Sequence, residues 1–322
     1  MEKSHGQEGR ERRRQAWTSY WQSGVLHSFP TSFRQNYEGV IAEFWRQVAC
    51  SIPSGGRVLD LASGNGSVPL LLLPYLAEDA HVDAVDAARI AAEEHPSNTD
   101  SRIRFHSGVW MEQLPFQDAS FDCVCSQFGI EYAAQAQAWG EVFRVLVERG
   151  KVACVIHHRA SAFYAVAQSE SRHLQWLLAA DGVLAAACDV AGWLELMRSG
   201  QQVAGAALVQ ANASRSRFNS IQEILESRIR EGATPDVLIE VRAQIASILA
   251  NAPKPRETMM AYRQMLDQSF VRCRELVECA LDRQQVDELA SSLRSCRRET
   301  DIRIEELSQE QGVLAWGFRV AT

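Results

Sequence analysis

Between residues 57 and 157 short apolar runs alternate with helix-forming stretches, and no other feature narrows the possible folds as much. Residues 57–62 (RVLDLA), 80–85 (AHVDAV), 103–106, 121–128 (FDCVCSQF) and 151–157 (KVACVIH) read as strands. Residues 68–76, 87–94 and 138–148 read as the helices between them, the last closed by Arg149 and Gly150. Apolar runs too short for buried helices, and bounded by turn residues, are expected of strands covered on both faces. Their alternation with helices predicts parallel βαβ units in an open twisted sheet.

After His158 the rhythm stops. Residues 160–298 look almost wholly helical, with breaks near 232–235 and 251–255. Strand signals return at 302–306 and at 313–320 (VLAWGFRV), joined by the short polar link SQEQG, which reads as a hairpin returning to the sheet. The fold class is therefore α/β: a Rossmann-like seven-stranded, mostly parallel sheet with an antiparallel terminal hairpin and a large helical insertion. The expected domains are an N-terminal helical segment or lid (1–56), a sheet domain (57–158 with 299–322) and the insertion (159–298). Residues 1–14 are polar and basic and are expected to be disordered. Residues 15–50 carry Trp17, Tyr20, Trp21, Phe29, Phe33, Tyr37, Phe44 and Trp45, and the spacing of Tyr37, Ile41, Phe44, Trp45 and Val48 suits an amphipathic helix. Pro53, Gly55 and Gly56 then break the chain.

The 322 residues carry a formal net charge of −7, so no nucleic-acid partner is expected. The eight cysteines, Cys50, Cys123, Cys125, Cys154, Cys188, Cys273, Cys279 and Cys296, form no CxxC pair and have no zinc spacing. They read as thiols in a reducing, cytoplasmic setting, and no metal is expected. The longest apolar stretch, residues 174–197, includes Asp181, Asp189 and Glu195, each costly at membrane depth. A buried helical pair is expected there, not a membrane span. The N-terminus has no apolar core of a secretory signal.

The segment Val58-Leu59-Asp60-Leu61-Ala62-Ser63-Gly64-Asn65-Gly66 is a strand, a small-residue turn and the start of a helix. Small residues allow close backbone approach to a ligand at the carboxyl end of a strand, and the helix start offers unpaired N–H donors. The run resembles motif I of class I S-adenosylmethionine (SAM)-dependent methyltransferases, with Ala62 in place of the first glycine. Asp86, at the end of the next strand, matches the family's ribose-binding acid, with Asp83 as the fallback. Residues 114–124 (LPFQDASFDCV) resemble the family signature leading into the fourth strand. The similarity spans roughly residues 57–158 and resumes at 302–322, and it is nearest the small-molecule branch related to ubiquinone and menaquinone biosynthesis methyltransferases.

That resemblance implies SAM as cofactor, a small-molecule acceptor, and methyl transfer to an O, N or C atom by in-line displacement. It implies cofactor contacts from Asp60, Ala62, Ser63, Gly64, Asn65, Gly66, Asp86, Ala87, Trp110, Met111, Ser126, Gln127 and Phe128. A side chain at Gly64 is expected to block the cofactor's approach. The family's adenine-holding acid falls on Trp110, which can stack on adenine or pack in the core, with Glu112 a candidate replacement. His157, Glu131 and Tyr132, at the ends of the fifth and fourth strands, are the candidate catalytic residues, and His158 is a further candidate base; loop or helix-cap roles remain open for the two histidines, and the start of a helix for Glu131 and Tyr132. Trp17 and Trp21 fit a lid over the cofactor or plain helix packing. The insertion is expected to form a cap over the acceptor pocket or the interface of a homodimer, with Met259, Tyr262, Leu266 and Phe270 as core. The competing reading is a non-catalytic module of the same fold whose insertion binds a protein partner. Ala62 and the missing acid allow it, whereas Asp60, Gly64, Gly66 and Asp86 argue against it.

Overall fold

A computed structural model describes residues 2–28, 36–92, 99–232, 234–297, 300–310 and 312–322, with side chains from residue 8 onward. Phe29 and Phe33 lie outside the described residues. The chain divides into two compact units, one of Met1–Ala165 with Glu275–Thr322 and one of Val166–Arg274.

In the first unit, α1 (Glu2–Trp21) and α2 (Gly39–Ala49) precede β1 (Arg57–Leu61), α3 (Ser67–Leu72), β2 (His81–Asp86), β3 (Ile103–Ser107), β4 (Phe121–Gln127), α4 (Gln135–Val145) and β5 (Leu146–His157). After α5 (Ala162–Leu178) and the helices that follow it come α10 (Arg283–Cys296), β6 (Asp301–Gln309) and β7 (Gly312–Ala321). The seven strands form one sheet in the order β3-β2-β1-β4-β5-β7-β6. β1 to β5 are mutually parallel, and β7 runs antiparallel to both β5 and β6.

Both faces of the sheet are covered, which explains the unbroken apolar strands. Alternate residues of β1, β4 and β5 (Leu59 and Leu61, Val124, then Val152, Cys154 and Ile156) pack with Trp139 and Val142 of α4 and with Val286, Ala290 and Leu293 of α10. The intervening residues (Val58, Cys123, Cys125, Ala153, Val155) pack against Ile41, Phe44, Trp45 and Val48 of α2. These four positions follow the i, i+3, i+4, i+7 pattern of an amphipathic helix, and each buried side chain contributes about 1.5–3 kcal/mol. α10 starts at a capping box in which Asp282 accepts from the Gln285 N–H and Gln285 returns a bond to the Asp282 N–H.

Four local expectations are corrected. Residues 2–14 belong to α1 instead of being disordered: the charges that suggested disorder make ion pairs, Arg14 with Glu11, Arg10 with Glu112 and Arg13 with Glu275. Residues 87–91 are not helical. Their N–H groups go to side chains instead: Ala88 to Asp86, Arg89 to Thr18, Ile90 to Ser107 and Ala91 to Asn65. Residues 93 and 94 of that expected helix lie outside the described residues. β5 begins directly where α4 ends, five residues before the expected strand, with Arg149 in the left-handed region at φ 63°. Finally, the chain re-enters the first unit at Glu275, not at residue 299, because α10 lays its apolar stripe on the sheet.

The second unit is helical. It comprises most of α5, then α6 (Val183–Arg198), α7 (Ala206–Glu231), α8 (Asp236–Asn251) and α9 (Pro255–Cys279) as far as Arg274. Its core includes Leu174, Leu177, Val183, Leu184, Ala187, Val241, Ile245, Met259, Tyr262 and Leu266, with Phe270 partly buried at its edge. Among the described residues no single helix is long and apolar enough to cross a membrane. α5 and α6 would pass only as a pair, and they are bent by 42°. Leu174, Leu177, Val183, Leu184, Ala187 and Ala191 of this pair are buried in this core, whereas Val166, Leu196 and Met197 are exposed.

Candidate functional site

The turn after β1 determines what the site can be. Ala62, Gly64 and Gly66 all have positive φ, at 54°, 52° and 93°. Glycine adopts this region freely, whereas Ala62 carries the left-handed strain of an L residue. The Ala62 methyl has room because residue 129 is glycine: a Cβ on Gly129 would lie 2.5 Å from the Cβ of Ala62. The space over Gly64 is taken by this protein's own Trp21, whose indole would lie 2.6 Å from an added Cβ. The sequence expects a side chain at Gly64 to block the cofactor; in this structure a side chain there would also meet the indole of α1.

Asn65 also serves α1. Its side-chain amide donates to the carbonyls of Trp21 (2.8 Å) and Val25 (2.7 Å), and its oxygen accepts from the Ala91 N–H (2.9 Å). Trp21 stacks on Trp17 with centroids 5.7 Å apart and an interplanar angle of 21°. The end of α1 is thus fastened to the turn.

Beside this turn lies a cleft with a cavity volume of about 110 Å³. It opens at the carboxyl ends of β1, β2 and β4, where ligands bind in open α/β sheets. Ala62, Ser63, Asp86, Ala87, Trp110, Met111, Gln127, Phe128 and Tyr132 line it together. α1 adds Arg13, Arg14, Trp17 and Trp21, and the following segment adds Leu26, His27, Ser28 and Tyr37. Of these the sequence pointed to Trp17 and Trp21. Arg13 and His27 carried no signal, and Tyr37 reads from the sequence only as part of an amphipathic helix, because their neighbours in the cleft are remote in the chain.

Asp86 and Glu112 are the acids that line the cleft, and Asp86 is the one at the end of β2. Its two oxygens accept from the N–H groups of Gly64 (2.9 Å) and Ala88 (2.7 Å), each leaving lone pairs for a further donor. Burial pushes its carboxyl up to about 6, against the lowering effect of these two bonds. Asp83, the fallback, is held elsewhere, by Arg57 at 3.0 Å and His106 at 2.9 Å. Asp60 is fully buried on the α2 face of β1, near the Cys125 thiol at 3.7 Å, and its Oδ2 has no hydrogen-bond partner among the described residues. Burial drives its carboxyl well above the usual range, which favours the neutral form.

The remaining candidates separate. Ser126 Oγ donates to the Leu61 carbonyl and accepts from the Ile130 N–H, both at 3.0 Å, tying β1 to the loop after β4. Gln127 accepts from the Trp45 indole at 2.6 Å. Glu131 accepts from the backbone N–H of His157 at 3.0 Å and lies 2.7 Å from its Nδ1, both side chains being buried. The His157 ring faces Phe128 at 4.2 Å, so the pair stands behind the cleft wall. His158 packs on Trp316 at 4.2 Å, and burial lowers its pKa. Trp110 lies under the Arg10 guanidinium at 4.6 Å, and Glu112 pairs with Arg10 at 3.3 Å. Among the described residues no cluster of His, Cys, Asp and Glu could hold a metal ion.

A Rossmann-like sheet with a cleft at the carboxyl ends of its strands places the site where ligands bind in open α/β sheets. Residues 58–150 match the family described as a methyltransferase domain. The ubiquinone/menaquinone biosynthesis C-methyltransferase of Bartonella bacilliformis is 31% identical over 107 residues, covering 32% of this chain and 41% of its own. The demethylmenaquinone methyltransferase of Deinococcus radiodurans is 32% identical over 114 residues, covering 34% and 47%. The chain thus spans about half the length, or less, of these curated relatives. A solved SAM-dependent methyltransferase from Aquifex aeolicus aligns with 38% of this chain and 64% of its own, at 19% identity and a TM-score of 0.33. Over residues 58–150 the chain is therefore similar to a methyltransferase domain.

Proposed function

We propose that the protein is a SAM-dependent methyltransferase acting on a small-molecule acceptor at an O, N or C atom. The observation that carries this reading is convergence: the β1 turn, Asp86 at the end of β2, Trp110 and Met111, and Gln127 and Phe128 all line one cleft. Asp86 is suited to the ribose hydroxyls, since its oxygens keep lone pairs beside their backbone bonds. Trp110 and Met111 offer flat apolar surfaces for adenine. When bound, SAM supplies a methyl already activated by a sulfonium. The chain's task is then to align the acceptor and exclude water. Trp17 and Trp21 of α1 serve exclusion, and Tyr132 is suited to contact the acceptor. Glu131 and His157 support Phe128 and Tyr132 from behind instead of meeting the acceptor, which moves them from catalytic to supporting roles.

The helical unit is proposed to serve acceptor choice or self-association, and a cytoplasmic setting fits the free thiols. Titration calorimetry with SAM and S-adenosylhomocysteine (SAH) tests the core of the reading, and binding of neither would refute it. A SAM-consumption assay across a metabolite panel then identifies the acceptor.

A further inference from the structure

Glu275 is far from every recognisable motif, yet its carboxylate is 4% exposed and meets the cleft-forming helix. Its Oε1 accepts from Arg13 Nε, and its Oε2 accepts from the Trp17 indole N–H at 3.2 Å. Arg13 and Trp17 are four residues apart, so they lie on one face of α1. Both line the cleft. Arg13 Nη1 also donates to the Tyr132 carbonyl at 3.2 Å, which bridges the carboxylate to the loop after β4. Trp17 meets the Tyr132 ring edgewise at 6.2 Å and stacks on Trp21, which covers Gly64. A carboxylate so deeply buried is costly unless paired, and Arg13 and Trp17 of α1 both pair with it.

We propose that Glu275 is a positioning residue that fastens α1 over the cleft and so sets how long a bound cofactor is retained. The inference rests on the reading of the cleft as a SAM site. Two attachments divide the work. Asn65 and Gly64 fix the carboxyl end of α1 through Trp21, and Glu275 fixes its middle through Arg13 and Trp17. A ligand entering or leaving past this helix has to disturb the second attachment.

The test compares full-length wild type with Glu275→Gln, Glu275→Ala, Arg13→Ala and the double variant Arg13→Ala/Glu275→Ala. SAH dissociation is followed by stopped-flow tryptophan fluorescence, and tryptic cleavage after Arg10 and Arg12 is followed without ligand. Loss of the charged contact is expected to speed SAH release about tenfold and to accelerate cleavage within α1. The double variant is expected to be no worse than either single one. Glu275→Gln still accepts from Trp17 and keeps the shape, so it carries the test if Glu275→Ala fails to fold. Unchanged release and cleavage in a folded Glu275→Gln protein would overturn the proposal. So would a fall in melting temperature that is equal with and without SAH while release stays unchanged, because that is a purely structural role. If wild type binds no SAH, the cofactor reading falls and cleavage alone still decides whether Glu275 holds α1.

Discussion

Substituting Gly64 by alanine tests whether the turn after β1 is shaped by α1. The backbone there has φ 52°, so an added Cβ costs roughly 1–2 kcal/mol in left-handed strain. The same Cβ would sit 2.6 Å from two atoms of the Trp21 indole, whereas carbon atoms prefer about 3.5–4.0 Å. The ring has to retreat by about 1 Å, and a gap of that size forfeits a quarter to a half of its contacts on that side. Trp21 is buried, and full truncation of such a side chain costs about 3–5 kcal/mol, so the retreat costs roughly 1–2 kcal/mol. Gly64→Ala is therefore expected to destabilise by about 2–4 kcal/mol in urea denaturation. In a Trp21→Ala background only the strain remains, about 1–2 kcal/mol, so the double-mutant cycle is expected to show a coupling of similar size. A Gly64→Ala cost that is the same with and without the indole would refute the assignment of this glycine to Trp21.

Three further outcomes are expected. Asp86 binds its proton more tightly folded than unfolded, so its contribution to stability is fully present below about pH 4 and is lost as pH rises through about 6. SAH affinity is expected to run the opposite way, gaining up to about tenfold per pH unit as the carboxyl ionises and levelling off above about pH 6. Asp86→Ala should remove that dependence in calorimetry and weaken binding by on the order of 1.5–3 kcal/mol. Ala62→Gly relieves a left-handed alanine and is expected to gain about 0.5 kcal/mol in urea denaturation after the entropy cost of glycine; a loss would mean that the methyl's contact at Gly129 matters more. Asp83→Asn should cost about 1–3 kcal/mol in stability by loosening Arg57 and His106 and leave SAH affinity unchanged, and a large affinity loss would return the ribose role to Asp83.

The sheet was legible because parallel strands buried on both faces leave unbroken apolar runs, as in RVLDLA and KVACVIH. The β1 turn was legible because small residues follow such a run. The segment after Asp86 was not. Its backbone is held by side chains of Asp86, Thr18, Ser107 and Asn65, which override the helix preference of its alanines. α1 was misread for a related reason: its basic residues look like a solvated tail until Glu275 is brought beside Arg13. Local periodicity reports burial along one element, and it carries no record of a partner 262 residues away.

The placement of β7 has a consequence for how the protein is made. β5 pairs with β7 over seven residue positions, from Lys151 opposite Ala321 to His157 opposite Ala315. Its hydrogen-bonding edge beside β7 thus waits about 160–170 residues for its neighbour, which at typical synthesis rates is roughly 10–30 s on the ribosome. Throughout that interval the apolar run VACVI presents an open edge of the kind that recruits other chains. Nascent-chain aggregation should therefore peak after β5 emerges and fall once β7 is released, and a chaperone that shields exposed strands should matter most in that window.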